Sequence, residues 1–268
     1  MRSLKFDWVI DLQGLARSGV FAWLANGGFT IGLNTGREGA RGLYDVAVPR
    51  PGPQTHAVDW YLAVLDQLRV PADGKFEWLP PRPEAAAQLH AKWKPAAARW
   101  VAIQPGARWM NKRWPVEHFS ELVSTLTRRH RDLRFAIVGG REDQELGAAI
   151  AGAGGGACVD LTGRTTLPEL VEWVRLSDLM VTNDTGPMHV AAALGKPVVS
   201  MFGPTNPRQT GPYGQVEEAL RISLPCAPCL KSTCSYAKPM ECLRALLPAT
   251  VLETTERQLA TLPSLQPA

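Results

Sequence analysis

The chain has 268 residues, 29 Lys+Arg against 25 Asp+Glu, and a formal net charge of +4. Hydrophobic residues at 45% and charged residues at 20% are close to globular averages, which excludes a disordered or fibrous chain. The basic residues are scattered, which argues against a nucleic-acid partner, and no stretch approaches the roughly 20 apolar residues of a membrane span.

The amino terminus, MRSLKFDWVIDLQG, lacks a signal peptide's apolar core and cleavage site, so a cytoplasmic location is expected. The rhythm along the chain is short apolar runs alternating with helical patterns, the mark of βα units and parallel sheets. In the first half the strand candidates are Trp8–Ile10, Phe29–Leu33 and Val46–Val48. A helical pattern runs from Gly14 to Leu24, and a second, amphipathic one from His56 to Leu68. A Pro-rich stretch follows from Val70 to Pro83, then a short helix and Pro95, which places a domain boundary at residues 94–99.

The second half repeats the rhythm more clearly. Strands are expected at Trp100–Ile103, Arg134–Val138, Cys158–Leu161, Leu179–Val181 and Pro197–Phe202. Helices are expected between them, at Val116–Arg129, Glu142–Ala151, Leu167–Leu176 and Met188–Leu194. Five such strands make a self-sufficient doubly wound domain. The expected organisation is therefore a partial first domain over 1–96, a nucleotide-sugar-binding domain over 97–250, and a helix and tail over 251–268, frayed after Pro263. The first half opens on a buried-type strand a few residues after Met1. Such a strand is normally central in its sheet, so the chain is expected to begin partway through a domain.

Two segments carry candidate chemistry. In Val181-Thr182-Asn183-Asp184-Thr185-Gly186-Pro187-Met188-His189 a strand ends and a helix begins, with Asp184 or Thr185 placed to cap it. The start of that helix would offer N–H groups and a positive dipole end to a pyrophosphate, with His189 one turn in. A capped βα turn without a ligand is the competing reading. Gln104-Pro105-Gly106-Ala107-Arg108-Trp109-Met110-Asn111-Lys112-Arg113-Trp114-Pro115 also follows a strand's C-terminal end. Arg108, Lys112 and Arg113 would draw a diphosphate to a crevice shared by the two loops. A solvated basic loop is the alternative for any one of those residues. Gly152 to Gly156 precedes a strand and reads as a connector, not a phosphate loop.

These segments, together with Phe202-Gly203-Pro204-Thr205-Asn206-Pro207, Thr210-Gly211-Pro212-Tyr213-Gly214, Asp11-Leu12-Gln13-Gly14-Leu15, Arg37-Glu38-Gly39-Ala40-Arg41 and His56-Ala57-Val58-Asp59, resemble the ADP-heptose:lipopolysaccharide heptosyltransferases of glycosyltransferase family 9. The resemblance implies a GT-B architecture of two Rossmann-like domains. It implies inverting transfer of heptose from ADP-heptose, or a similar sugar nucleotide, to a lipid-linked saccharide of the lipopolysaccharide core. The work would lie at the cytoplasmic face of the inner membrane, and no cofactor is implied. By position, Lys112 matches a phosphate contact, and Asp184, Thr185, Gly186 and His189 match the diphosphate and sugar contacts. Asp143, with Glu142 close behind, matches the ribose contact, and Arg37 and His56 match the acceptor side. A solvated arginine and a helix-start histidine are the plain readings of the last two. No Asp-x-Asp motif suggests a bridging metal, so metal-independent transfer is expected.

The family's general base lies on an earlier glycine-rich turn that nothing here matches, and neither Asp7 nor Asp11 stands in that context. A non-catalytic ADP-sugar-binding chain, or a transferase of another sugar nucleotide, are the alternatives. Five cysteines occur, at 158, 226, 229, 234 and 242. Cys158 reads as a strand residue of the core. Cys226, Cys229, Cys234 and Cys242 have the number and part of the spacing of a zinc site, against packed reduced thiols as the plainer reading.

Overall fold

The computed structural model describes residues 5–72 and 79–262. The chain divides into two compact units, residues 1–76 and 77–268. The first holds β1 (Trp8–Asp11), α1 (Ala16–Leu24), β2 (Phe29–Asn34), β3 (Val46–Pro49) and α2 (Ala57–Gln67). Its three strands are parallel in the order β1-β2-β3. Ile31, Leu33, Val48, Trp60 and Val64 form its core, and the Trp60 indole N–H donates to Val48 O at 3.2 Å.

The early apolar strand is not central among these elements: β1 is an edge strand, with Trp8 53% and Ile10 46% exposed. An apolar run marks a strand, not how many neighbours it has. The end of β1 is instead fixed by Asp11. Its carboxylate accepts the Tyr44 hydroxyl at 2.6 Å and the N–H groups of Gln13 at 2.8 Å and Gly14 at 3.2 Å. Burial pushes the Asp11 carboxyl up, but the bonds from Tyr44, Ser18, Gln13 and Gly14 outweigh it and hold the group below its ordinary value. The same burial and the Asp11 charge push the Tyr44 phenol up. A depressed carboxyl stabilises the fold above its unfolded pKa, and that contribution disappears as pH falls through the folded one. The first unit is therefore expected to loosen below about pH 4, and Asp11→Asn to remove that acid-dependent step. Hydrogen exchange of β1 amides as a function of pH checks this; an unchanged acid profile in Asp11→Asn would refute it.

The second unit begins with α3 (Pro83–Trp93) and continues through β4 (Arg99–Gln104), α4 (Val116–Arg129), β5 (Leu133–Ile137), α5 (Gln144–Gly154), β6 (Cys158–Asp160), α6 (Leu167–Leu176), β7 (Leu179–Asn183), α7 (Gly186–Ala193), β8 (Val198–Phe202), α8 (Pro207–Thr210), β9 (Ala219–Arg221), α9 (Glu241–Arg244) and α10 (Pro248–Ala260). The six strands are parallel in the order β6-β5-β4-β7-β8-β9. Alternation along β4 sends Val101 and Ile103 to one face and Trp100 and Ala102 to the other. On the first face they meet Phe119, Leu122, Val123 and Leu126 of α4, spaced as one helical stripe, with Ile150 of α5 and Val251 and Leu259 of α10. On the second they meet Leu89 of α3, Trp173 and Val174 of α6, and Met188 and Ala191 of α7.

Helices on both faces of a parallel sheet are the doubly wound α/β arrangement expected. Three details differ from the sequence reading. The boundary at 94–99 falls inside the second unit, because α3 packs there through Leu89 and through the Lys92–Glu169 ion pair at 3.3 Å. The segment from 251 is not separate, since α10 buries Val251 and Leu259 in the same core. The sixth strand, β9, has only three residues, two of them half-buried and one exposed, and leaves almost no apolar signal. The tail after Pro263 and residues 73–78 of the Pro-rich stretch lie outside the described residues.

Candidate functional site

The strand order sets where a ligand can sit. From β4 the chain moves outward through β5 and β6, then returns to place β7 on the other side of β4. The loops leaving β4 and β7 therefore diverge and leave a crevice at the carboxyl ends of the strands. A cavity of about 630 Å³ occupies that position, and all its lining residues belong to the second unit. The loop after β4 contributes Gly106, Ala107, Arg108 and Arg113; the loop after β5 contributes Gly139, Gly140, Glu142 and Asp143. Thr165 and Thr166 come from the β6–α6 connection, Leu167 and Leu170 from the start of α6, and Thr185 and Pro187 from the start of α7.

Beside this lining the same loops bring together a charged cluster. Lys112 Nζ lies 2.6 Å from Asp184 Oδ2, and the Thr205 hydroxyl donates to that oxygen at 2.5 Å. Lys112 also stands over the Trp109 ring, 4.9 Å from its centroid. Loops after β4, β7 and β8 thus converge on one buried carboxylate. The long β4 loop is held in place by Asn183, whose side chain accepts the Trp114 backbone N–H at 2.9 Å and donates to Pro105 O at 2.6 Å. Trp114 is itself buried, its indole N–H donating to Leu246 O at 2.8 Å.

Asp184 is therefore spent on Lys112 and Thr205 and does not cap α7. Thr185 is the N-cap residue by conformation, but its side chain makes no capping bond. The helix start is left without a side-chain cap, which keeps its N–H groups and dipole available to an anion. Gly186 opens that helix, and His189 lies exposed one turn in. Asp143 is 4% exposed, with Oδ2 accepting the Gly140 N–H at 3.1 Å. A side-chain carbon at Gly106 would collide with the Asp143 carboxylate, so only glycine lets the two loops approach so closely.

The sequence of the chain matches the family model described as "Glycosyltransferase family 9 (heptosyltransferase)" over residues 1–239. The chain belongs to glycosyltransferase family 9. It is 30% identical over 242 residues to lipopolysaccharide heptosyltransferase 1 of Pseudomonas aeruginosa, a match covering 88% of this chain and 65% of that protein. It is 35% identical over 127 residues to lipopolysaccharide heptosyltransferase 2 of Escherichia coli, covering 46% of this chain and 36% of that one. Among solved structures, the family 9 glycosyltransferase of Veillonella parvula aligns with a TM-score of 0.77 at 24% identity, over 97% of this chain and 75% of that one. E. coli heptosyltransferase WaaC with ADP aligns with a TM-score of 0.67 at 21% identity, over 96% and 74%. These likenesses place the fold in the GT-B class of the heptosyltransferases.

In this family 9 chain the structure gathers Lys112, Asp184, Thr185, Gly186, Asp143 and Arg108 around the strand ends of the second unit. Arg37 and His56 lie in the first unit. Arg37 is exposed after β2, and His56 is buried as the N-cap of α2, its Nδ1 accepting the Val58 N–H at 3.2 Å. Thr165, Thr166 and Leu167 were missed as lining residues. Their signal was the capping box in which Thr166 and Glu169 exchange bonds at a strand's carboxyl end.

No disulfide joins the described cysteines, and no described group of three or more His, Cys, Asp or Glu is arranged to hold a metal ion. Cys226, Cys229, Cys234 and Cys242, all half-buried, line a small cavity of about 20 Å³. Burial, and then the neighbouring thiols, push Cys242 up, while N–H bonds from Met240 and Tyr236 lower Cys234. The cysteine loop is pinned to the end of β8 by Leu230 N–H on Pro204 O at 2.7 Å. It is pinned to the Lys112 turn by Asn111 Nδ2 on Lys231 O at 2.9 Å. Cys158 packs against the core, its thiol pushed up to about 12 by burial.

Proposed function

We propose that the chain binds ADP-heptose in the cavity of the second unit and transfers the heptose, with inversion, to a lipid-linked lipopolysaccharide core acceptor. The observation that carries this reading is the Lys112–Asp184–Thr205 cluster beside an uncapped helix start, flanking a cavity at the topological switch point. Family membership supports glycosyl transfer, and the names of the relatives support heptose and lipopolysaccharide. The neighbouring structures with ADP and with ADP-2-deoxy-2-fluoro heptose support the donor class.

The acceptor hydroxyl oxygen attacks the anomeric carbon, its proton passing to a base, while the bond from that carbon to the β-phosphate oxygen breaks and ADP departs with the electron pair. Negative charge grows on the departing diphosphate. Lys112 and the N–H groups that open α7 meet that charge in fixed positions, so transfer proceeds without a metal. Arg108 adds attraction at the exposed edge, Asp143 stands at the ribose end, and His189 reaches toward the sugar. Arg37 and His56 serve the acceptor side. A lipid-linked acceptor places the work at the cytoplasmic face of the inner membrane. No described helix is long and apolar enough to cross it.

Calorimetric titration with ADP-heptose, ADP, UDP and GDP tests the donor assignment. Micromolar binding of the two adenine ligands, with UDP and GDP weaker by at least about tenfold, is the expected result. A well-folded chain indifferent to ADP and ADP-heptose would overturn the reading.

A further inference from the structure

We infer that Arg113 is a positioning residue that sets the nucleoside end of the cavity through Asp143, and is not itself a ligand of the diphosphate. The inference rests on the ADP-binding reading above for the identity of the ligand. Its structural content is independent of that reading.

The Arg113 side chain is only 19% exposed, with Nε hydrogen-bonded and Nη2 ion-paired within the protein. Nε donates to Ala107 O at 2.8 Å, in the loop after β4. Nη2 lies 3.6 Å from Asp143 Oδ1, in the loop after β5. One guanidinium therefore ties together the two loops that face each other across the switch point. A rigid planar fork suits that task, and a lysine ammonium cannot span both partners.

Asp143 needs such a partner. Oδ2 takes the Gly140 N–H, but Oδ1 is buried and accepts no hydrogen bond. A contact of 3.6 Å neutralises charge without supplying that bond. The Arg113 charge is what makes a buried carboxylate tolerable there, since an uncompensated one is strongly unfavourable. Asp143 in turn presses against Gly106 and Gly139, where a side-chain carbon would collide with it. The position of the carboxylate thus fixes how far apart the two glycine turns stand.

Arg113 is also a partition. It lines both the 630 Å³ cavity and a second one of about 230 Å³ bounded by Pro105, Met110, Trp114 and Met240. Truncating it would open the wall between them while the Lys112–Asp184 cluster kept its own contacts. Arg108 is the contrasting case: exposed, lining the same cavity and available to a phosphate.

The test compares Arg113→Met, Arg113→Lys and Arg108→Ala with the wild type in the full chain. Two readouts are taken: affinity for ADP against inorganic pyrophosphate, and hydrogen exchange of the ligand-free protein. Arg113→Met is expected to weaken ADP by about tenfold or more and to leave pyrophosphate within about twofold. It is also expected to speed exchange at residues 105–108 and 139–143. Arg113→Lys should show the same split with a smaller loss, and Arg108→Ala should weaken both ligands alike. Equal losses of ADP and pyrophosphate in the Arg113 variants would overturn the inference, as would exchange unchanged in both loops. If Arg113→Met fails to fold, the Arg113→Lys split decides. Should the wild type bind pyrophosphate but not ADP, the donor reading falls, and loop exchange alone judges whether Arg113 holds the two turns together.

Discussion

Lys112→Met is expected to destabilise the second unit by about 2 kcal/mol and to cost a diphosphate ligand about 100-fold in affinity. The two losses have different origins. Asp184 has a side chain 6% exposed and accepts from Lys112 and Thr205. Removing the ammonium leaves a buried carboxylate with one neutral donor, and that uncompensated charge is the stability cost. The partial exposure of Lys112, at 19%, keeps the cost below that of a fully buried pair. The double variant Lys112→Met/Asp184→Asn separates the effects. It removes both charges, and the amide oxygen at position 184 still accepts the Thr205 hydroxyl. Stability is expected to recover to within about 1 kcal/mol of wild type, whereas ligand affinity stays at the level of the single variant. Urea unfolding and calorimetric titration of the three proteins check both halves. A double variant as unstable as Lys112→Met would show that packing, not charge, underlies the loss. One that binds like wild type would make the pair purely structural.

The parts of this molecule legible in its sequence are those decided by local pattern. The β4 run Trp100-Val101-Ala102-Ile103 and the α4 stripe of Phe119, Leu122, Val123 and Leu126 each report their own burial. Loops at strand ends followed directly, which is why Lys112 and Asp184 could be named, whereas Asp143 was named only through the resemblance to the family. Which unit an element joins was not legible. Prolines at 80, 81 and 95 mark loops and Pro83 a helix start, but nothing in them says which unit α3 packs against. The exposure of Trp8 and Ile10 on the edge strand β1 was not legible either, because an apolar run does not say how many strands flank it. The pairings were equally hidden. Asp184 looked like a helix cap because caps are local, whereas its partners lie 72 residues before it (184 − 112) and 21 after it (205 − 184). The Arg113–Asp143 contact was hidden as well, because the β5 loop that engages Arg113 is remote in sequence.

Asn183 makes two more such remote contacts, and its substitution carries the other large effect. Its fully buried side chain joins the two ends of the β4 loop, through Pro105 O and the Trp114 N–H. Asn183→Ala strands both backbone groups and is expected to cost about 3 kcal/mol, together with most of the ADP affinity, since Lys112 rides on that loop. Asn183→Asp discriminates this account from simple loss of volume. An ionised carboxylate can still accept from Trp114, but its second oxygen then faces the Pro105 carbonyl, where the native amide donates at 2.6 Å. Only the protonated acid can donate there, so the folded state raises the pKa of the introduced acid. A raised folded pKa contributes stability at low pH that is lost as pH rises through it. Asn183→Asp is therefore expected to approach wild-type stability near pH 4 and to fall to the level of Asn183→Ala by about pH 8. The Asn183→Ala deficit should stay constant across the same range. Urea midpoints of the three proteins across that range give the answer. Parallel pH profiles for the two variants would mean that the Pro105–Asn183–Trp114 stitch does not hold the loop.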